Sequence, residues 1–124
     1  MSSSQARRIF IVEDETLVLM NLEDILLDLG CIIAGQAMRL AEGERLAETI
    51  TLPDAAILDV NIGGKQVFPI AQILQRRGVP MIFATGYGVS GLPEEWRLYP
   101  VIAKPYSRDD VARALQTIAA APAP

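Results

Sequence analysis

Five short apolar runs set the terms on which this chain can fold: RIFIV (8–12), CIIAGQA (31–37), AAILDV (55–60), PMIFA (80–84) and VIA (101–103). They are continuous rather than alternating, the pattern of strands buried on both faces. Between them lie stretches with helical period. Val18, Leu22, Ile25 and Leu29 share one face of a helix predicted over 15–29, with Asn21, Glu23, Asp24 and Asp28 elsewhere. Gly30 then stands where a helix C-terminus favours glycine. A more polar helix is predicted over 39–51, closed by Pro53. Val67, Ile70, Ala71 and Leu74 follow the spacing of a third helix that stops at RRG (76–78). Ser107 and Asp110 read as a capping box opening a last helix that carries Val111, Ala114, Leu115 and Ile118.

Such strands, alternating with helices, require a parallel sheet covered on both sides. Right-handed crossovers restrict the topology further. The expectation is an α/β, doubly wound, five-stranded parallel sheet in the order 2-1-3-4-5, with five helices. The 124 residues, 51% of them hydrophobic, suffice for one domain (1–124) with a modest core. Its ordered part is expected over about 7–120, with frayed ends at MSSS and at the Ala/Pro tail AAAPAP. No internal repeat or linker is visible. The capped last helix and frayed tail fit a complete single-domain protein and an excised domain equally.

The net charge of −4 argues against a nucleic-acid surface, which needs clustered Lys and Arg. No apolar stretch reaches the roughly 18–20 residues that span a bilayer. The N-terminus lacks the apolar core of a secretion signal, so a cytoplasmic location is expected. Cys31 is the only cysteine; it has no internal disulfide partner and is expected as a buried thiol. There is no histidine, which excludes a histidine base, a Ser-His-Asp triad and a histidine metal site. Any phosphohistidine chemistry must therefore involve another protein. Carboxylates, hydroxyls, lysine and hard cations remain.

The predicted strand ends carry those groups. Strand one runs into Glu13 and Asp14, strand three into Asp59, strand four into Thr85 and strand five into Lys104. One acid after a strand is ordinarily a solvated turn; four strands delivering polar residues to one edge is a stronger pattern. Strands one and three flank the switch point of a doubly wound sheet, where ligands bind. Two like charges about 4 Å apart repel by roughly 4 kcal/mol at an effective dielectric near 20, so the acids must take up protons or cations. Lys104 supplies one positive charge, and Mg2+ suits a site of few carboxylates and several waters. Thr85, the amides after it and Lys104 are donors suited to a phosphoryl group.

With VEDE (12–15), LDVN (58–61), ATG (84–86) and KP (104–105) in this order, the chain resembles the receiver domain of response regulators in bacterial two-component systems. The resemblance spans roughly residues 7–120 and implies a flavodoxin-like fold. It implies that Asp59 accepts the phosphoryl group as an aspartyl phosphate. Asp14 is then the main Mg2+ carboxylate, Glu13 supports it through water, and Asn61 offers its backbone carbonyl. Thr85 donates its hydroxyl to one phosphoryl oxygen, Lys104 pairs with another, and Gly86 leaves clearance. The Lys104–Pro105 bond is expected to be cis. Tyr87 either tunes dephosphorylation or covers the site. The implied partners are a sensor histidine kinase or histidine phosphotransferase as donor and an unidentified downstream protein. No nucleic acid or membrane is expected, and the chain is expected to be a monomer or weak dimer. No enzymatic role is expected beyond self-phosphotransfer and autodephosphorylation.

PMIFATGYG (80–88) also resembles the signature of the FATGUY group of single-domain receivers, with Met81 where that signature has an aromatic residue. Val101 stands where most receivers carry the aromatic partner of the threonine. Gly86, Gly88, Gly91, Pro93 and Pro100 disfavour helix between Thr85 and Lys104. Helix four should thus be short, only PEEWRL (93–98), in a segment (86–100) that is loosely ordered and stiffens on phosphorylation. Trp96 and Tyr99 serve either as a partner patch or as packing, Tyr106 (after Pro105) reads as a packing aromatic with a switch role as the alternative, and Arg76 and Arg77 read as caps of helix three. Two other functions compete. One is a degenerate receiver that only binds protein. The other is an aspartyl-phosphate phosphatase, which typically needs an acid two residues after the nucleophile, where Asn61 stands.

Overall fold

The computed structural model describes residues 6–86 and 92–120. Its elements are β1 (Arg8–Val12), α1 (Thr16–Asp28), β2 (Ile32–Ala37), α2 (Leu40–Thr49), β3 (Ala55–Asp59), β4 (Asn61–Ile62), β5 (Lys65–Gln66), α3 (Phe68–Arg76), β6 (Met81–Thr85), β7 (Val101–Ala103) and α4 (Arg108–Ala120). The main sheet is parallel with the order β2-β1-β3-β6-β7, the predicted order once the small β4–β5 ribbon is set aside.

Each central strand buries both faces, as its continuous apolar run requires. Phe10, Val12, Leu58, Met81 and Phe83 face α2, α3 and the segment around Trp96. Ile9, Ile11, Ile57 and Ile82 face α1 and α4. On α1 the fully buried line is Leu19, Leu22 and Leu26. Val18, Ile25 and Leu29 are only partly buried, so the buried face is turned slightly from the predicted one. Gly30 and Gly78 end α1 and α3 with φ of 84° and 75°, conformations in which a side chain would be strained.

The structure refines two sequence expectations and revises a third, the role of Arg77. Among the described residues there are four α-helices, and the short fourth helix is a 3-10 turn at Glu94–Trp96. Its bonds run three residues back, from Trp96 N to Pro93 O and from Tyr99 N to Trp96 O, and Pro100, which has no N–H to donate, ends the segment. Trp96 is 2% exposed and packs inside the core, so it is not a surface patch. Arg77 does not cap its own helix: its guanidinium donates to Ala47 O at 2.6 Å and Ile50 O at 2.8 Å, closing the C-terminus of α2.

Candidate functional site

The parallel sheet sends the C-terminal ends of β1, β3, β6 and β7 to one edge, and with them Glu13, Asp14, Asp59, Thr85 and Lys104. Glu13, Asp59 and Thr85 are 0%, 4% and 4% exposed, the buried polar residues at this edge. Asp14, Glu15, Asp59, Asn61, Thr85 and Lys104 line one cleft. Carboxylate oxygens of Glu13, Asp14 and Asp59 lie within 4.8 Å of one another.

Lys104 joins the ends of three strands. Its Nζ lies 2.8 Å from Asp59 Oδ2, 3.2 Å from Glu13 Oε1 and 3.4 Å from Glu15 Oε1. Its backbone N–H donates to Thr85 O at 3.3 Å, and the peptide bond to Pro105 is cis, as expected. Asp59 Oδ1 accepts the Asn61 N–H at 3.2 Å, and Asp14 Oδ2 accepts the Gly63 N–H at 2.8 Å. That last bond ties the β4–β5 turn to the acids. A methyl group on Gly86 would meet no described atom within 4 Å, so the space beside Thr85 is open. Val101 pairs in register with Phe83 and packs against the core. Tyr87 lies outside the described residues.

No family model matches the chain. Over 114 residues (89% of its length) it is 32% identical to the transcriptional regulatory protein PdtaR of Mycobacterium tuberculosis. It spans about half the length of the curated relatives it matches, 55% for PdtaR. Among solved structures it is similar to SdrG from Sphingomonas melonis Fr1, with a TM-score of 0.82 and 39% identity over 94% of this chain and 99% of that one. The PhyR response regulator REC domain of Erythrobacter litoralis matches with a TM-score of 0.79 and 26% identity, over 96% and 95% of the two chains. This chain belongs to the response regulator receiver domains.

The charge balance of this receiver's cleft is uneven. Burial and the nearby Asp59 charge push the Glu13 carboxyl up to about 7. Asp59 is also raised, by burial, against the pull of Lys104. Burial disfavours charge on Lys104, but its hydrogen bond to Asp59 and the charges of Asp59 and Glu13 outweigh it, so the ammonium holds its proton more tightly than usual. One lysine thus faces several acids, and the oxygen-only donor set of Glu13, Asp14 and Asp59 fits a hard divalent cation.

One residue of the site makes a contact the sequence did not foretell, and one small element escaped it. Tyr106 is buried, and its hydroxyl donates to Glu13 Oε1 at 3.0 Å across 93 positions; burial and the Glu13 charge raise its own pKa. The sequence offered it as a packing aromatic or, as the alternative, a switch residue, and did not offer the bond to Glu13. The β4–β5 ribbon was also missed, although its signal is present: Gly63 and Gly64, with φ of 58° and 84°, form the two-residue turn that favours glycine pairs.

Proposed function

We propose that this receiver accepts a phosphoryl group on Asp59 from a phosphohistidine of a sensor histidine kinase or histidine phosphotransferase, and signals by binding a downstream protein in that state. The carrying observation is the Asp59 carboxylate, set in the cleft with Lys104 Nζ at 2.8 Å and two further carboxylates clustered with it. An Asp59 oxygen attacks phosphorus, the P–N bond breaks, and the imidazole leaves with the bonding electrons and takes a proton. These 124 residues hold no histidine, so the donor histidine lies outside them.

Glu13, Asp14, Asp59 and the Asn61 carbonyl would hold Mg2+, which when bound supplies positive charge to the acids and the phosphoryl oxygens. Lys104 stays protonated and transfers its contact from the Asp59 carboxylate to a phosphoryl oxygen, while Thr85 donates its hydroxyl to another. With Val101 in place of the usual aromatic, the signal leaves Thr85 by another route, as the FATGUY-like signature suggests. No described helix is long and apolar enough to cross a membrane.

Incubation with acetyl phosphate and Mg2+ tests the reading by intact mass. A phosphate adduct is expected in the wild type and not in Asp59→Asn. An unmodified wild type would instead favour the degenerate module, and rapid turnover of phosphomonoesters would favour the phosphatase.

A further inference from the structure

The hydroxyl of Tyr106 reaches the one carboxylate of the acid cluster that is fully removed from solvent. Glu13 is 0% exposed, and both its oxygens are engaged by the protein. Oε1 accepts the Tyr106 hydroxyl at 3.0 Å. Oε2 accepts the Glu15 N–H at 3.2 Å, and Lys104 Nζ straddles the carboxylate, 3.2 Å from Oε1 and 3.3 Å from Oε2. Among these donors, Lys104 is also held by Asp59 and Glu15, so its contact with Glu13 is shared. Tyr106 is held independently. Its ring is 6% exposed in the layer formed by α1 and α4, and its carbonyl accepts a bond from Asn21 Nδ2 of α1 at 3.5 Å. The hydroxyl is thereby a fixed point against which the Glu13 carboxylate is set.

We infer that Tyr106 is a positioning residue of the metal site: its hydroxyl fixes the Glu13 carboxylate in the orientation that brings it together with Asp14 and Asp59, and so sets the affinity for Mg2+. The inference rests on the proposed Mg2+ site. Phenylalanine in this place would fill the same volume but leave Glu13 Oε1 only the Lys104 ammonium, 3.2 Å away and shared with Asp59 and Glu15, and a buried carboxylate that loses a partner reorients to find another. Partners that orient a metal's carboxylate ligands commonly govern affinity by a factor of ten or more.

Calorimetric titration of the metal-free protein with MgCl2 at neutral pH tests this. The expected result is a wild-type dissociation constant that rises about tenfold in Tyr106→Phe. In a Glu13→Gln background, adding Tyr106→Phe should change the affinity no further, because the hydroxyl acts through Glu13. Equal affinity in the wild type and Tyr106→Phe overturns the inference, and so does a full additional loss in the Glu13→Gln background, which would mark a general packing role. A wild type that binds no Mg2+ overturns the metal site itself and the inference with it. If wild type and Tyr106→Phe bind Mg2+ equally but acetyl phosphate still labels Asp59, only the inference falls. Should Tyr106→Phe fail to fold, a Tyr106→His variant, which keeps a ring N–H donor, takes its place. Recovery of at least half the binding free energy lost in a Tyr106→Leu variant supports the hydroxyl's role, and equal loss in both overturns it.

Discussion

Lys104 Nζ sits 2.8 Å from Asp59 Oδ2, across the gap between β7 and β3, with the Thr85 end of β6 between them. The lysine also reaches Glu13 at the end of β1, so one cation ties the sheet edge together from β1 to β7. The pair is neither exposed nor dry: the Lys104 side chain is 17% exposed and that of Asp59 is 5%.

Replacing Lys104 by methionine keeps the aliphatic stem and removes the charge. Removing one partner of a buried pair leaves the other uncompensated, at about 3–5 kcal/mol. Partial exposure of Lys104 places the expected loss near the lower end, about 3 kcal/mol. Urea unfolding in metal-free buffer measures it. Saturating Mg2+ should return part of the loss, since the cation would neutralise the same acids. A variant as stable as the wild type without metal would show that the ion pair contributes nothing to the fold.

The pH dependence has a definite sign. Burial and the Asp59 charge hold the folded Glu13 carboxyl near 7, well above its ordinary value of 4.5. Between those values the folded state binds more protons than the unfolded chain, so stability is greatest on the acid side and falls as pH rises toward 7. Asp59 is shifted in the same direction, also chiefly by burial. The metal-free protein should therefore be more stable near about pH 5 than near about pH 8, by up to about 3 kcal/mol. Glu13→Gln should flatten much of that slope. A stability that rises steadily with pH from 5 to 8 would contradict the assignment.

How much of this was legible in the residues depended on the range of the interaction. The strands and their order were readable because Ile9, Ile11, Phe10 and Val12 are apolar on both faces, a pattern that demands helices on either side. Once the order was known, Glu13, Asp14, Asp59, Thr85 and Lys104 fell at one edge by topology alone. The Tyr106–Glu13 bond had no such signal, because a tyrosine after a proline looks the same whether its hydroxyl is buried on an acid or bathed in water. Arg77 illustrates the same limit. A cation at a helix end reads as a cap for that helix, and only the packing of α3 on α2 shows that it serves its neighbour.

That α2–α3 contact carries a further prediction. Gly43 lies within α2, where alanine would ordinarily add about 1 kcal/mol of stability. A methyl there, however, would run into Ile70 Cδ1 in the core of α3. Overpacking of this kind costs about 1–3 kcal/mol, so Gly43→Ala should destabilise by about 1 kcal/mol net. In an Ile70→Val background, which removes that carbon, the same substitution should become neutral or stabilising. Thermal unfolding of the four proteins closes the cycle, and strict additivity would rule out the steric account.

On the proposed function, Trp96 offers a test of whether phosphorylation is felt on the α2–α3 side of the sheet. Its ring stacks on Phe68 with centroids 5.7 Å apart and meets the edge of Phe83 at 5.8 Å. Phe83 stands two residues before Thr85 on β6, so both side chains share a face of the sheet. Val101, next to Phe83 in register, is smaller than the aromatic most receivers carry there, so on the proposed function the response is expected at Phe83 and Trp96. Beryllofluoride with Mg2+ should therefore change the emission of Trp96, the only tryptophan, and slow amide exchange over 92–100 by roughly tenfold, equivalent to about 1.4 kcal/mol of added local stability. Asp59→Asn should show neither effect. Trp96→Ala should cost about 3–5 kcal/mol because it empties the centre of the cluster, so the milder Trp96→Phe is the variant in which to follow exchange. Unchanged exchange in the wild type would sink the idea that this segment stiffens on phosphorylation and would direct attention to the Lys104–Tyr106 side of the cleft instead.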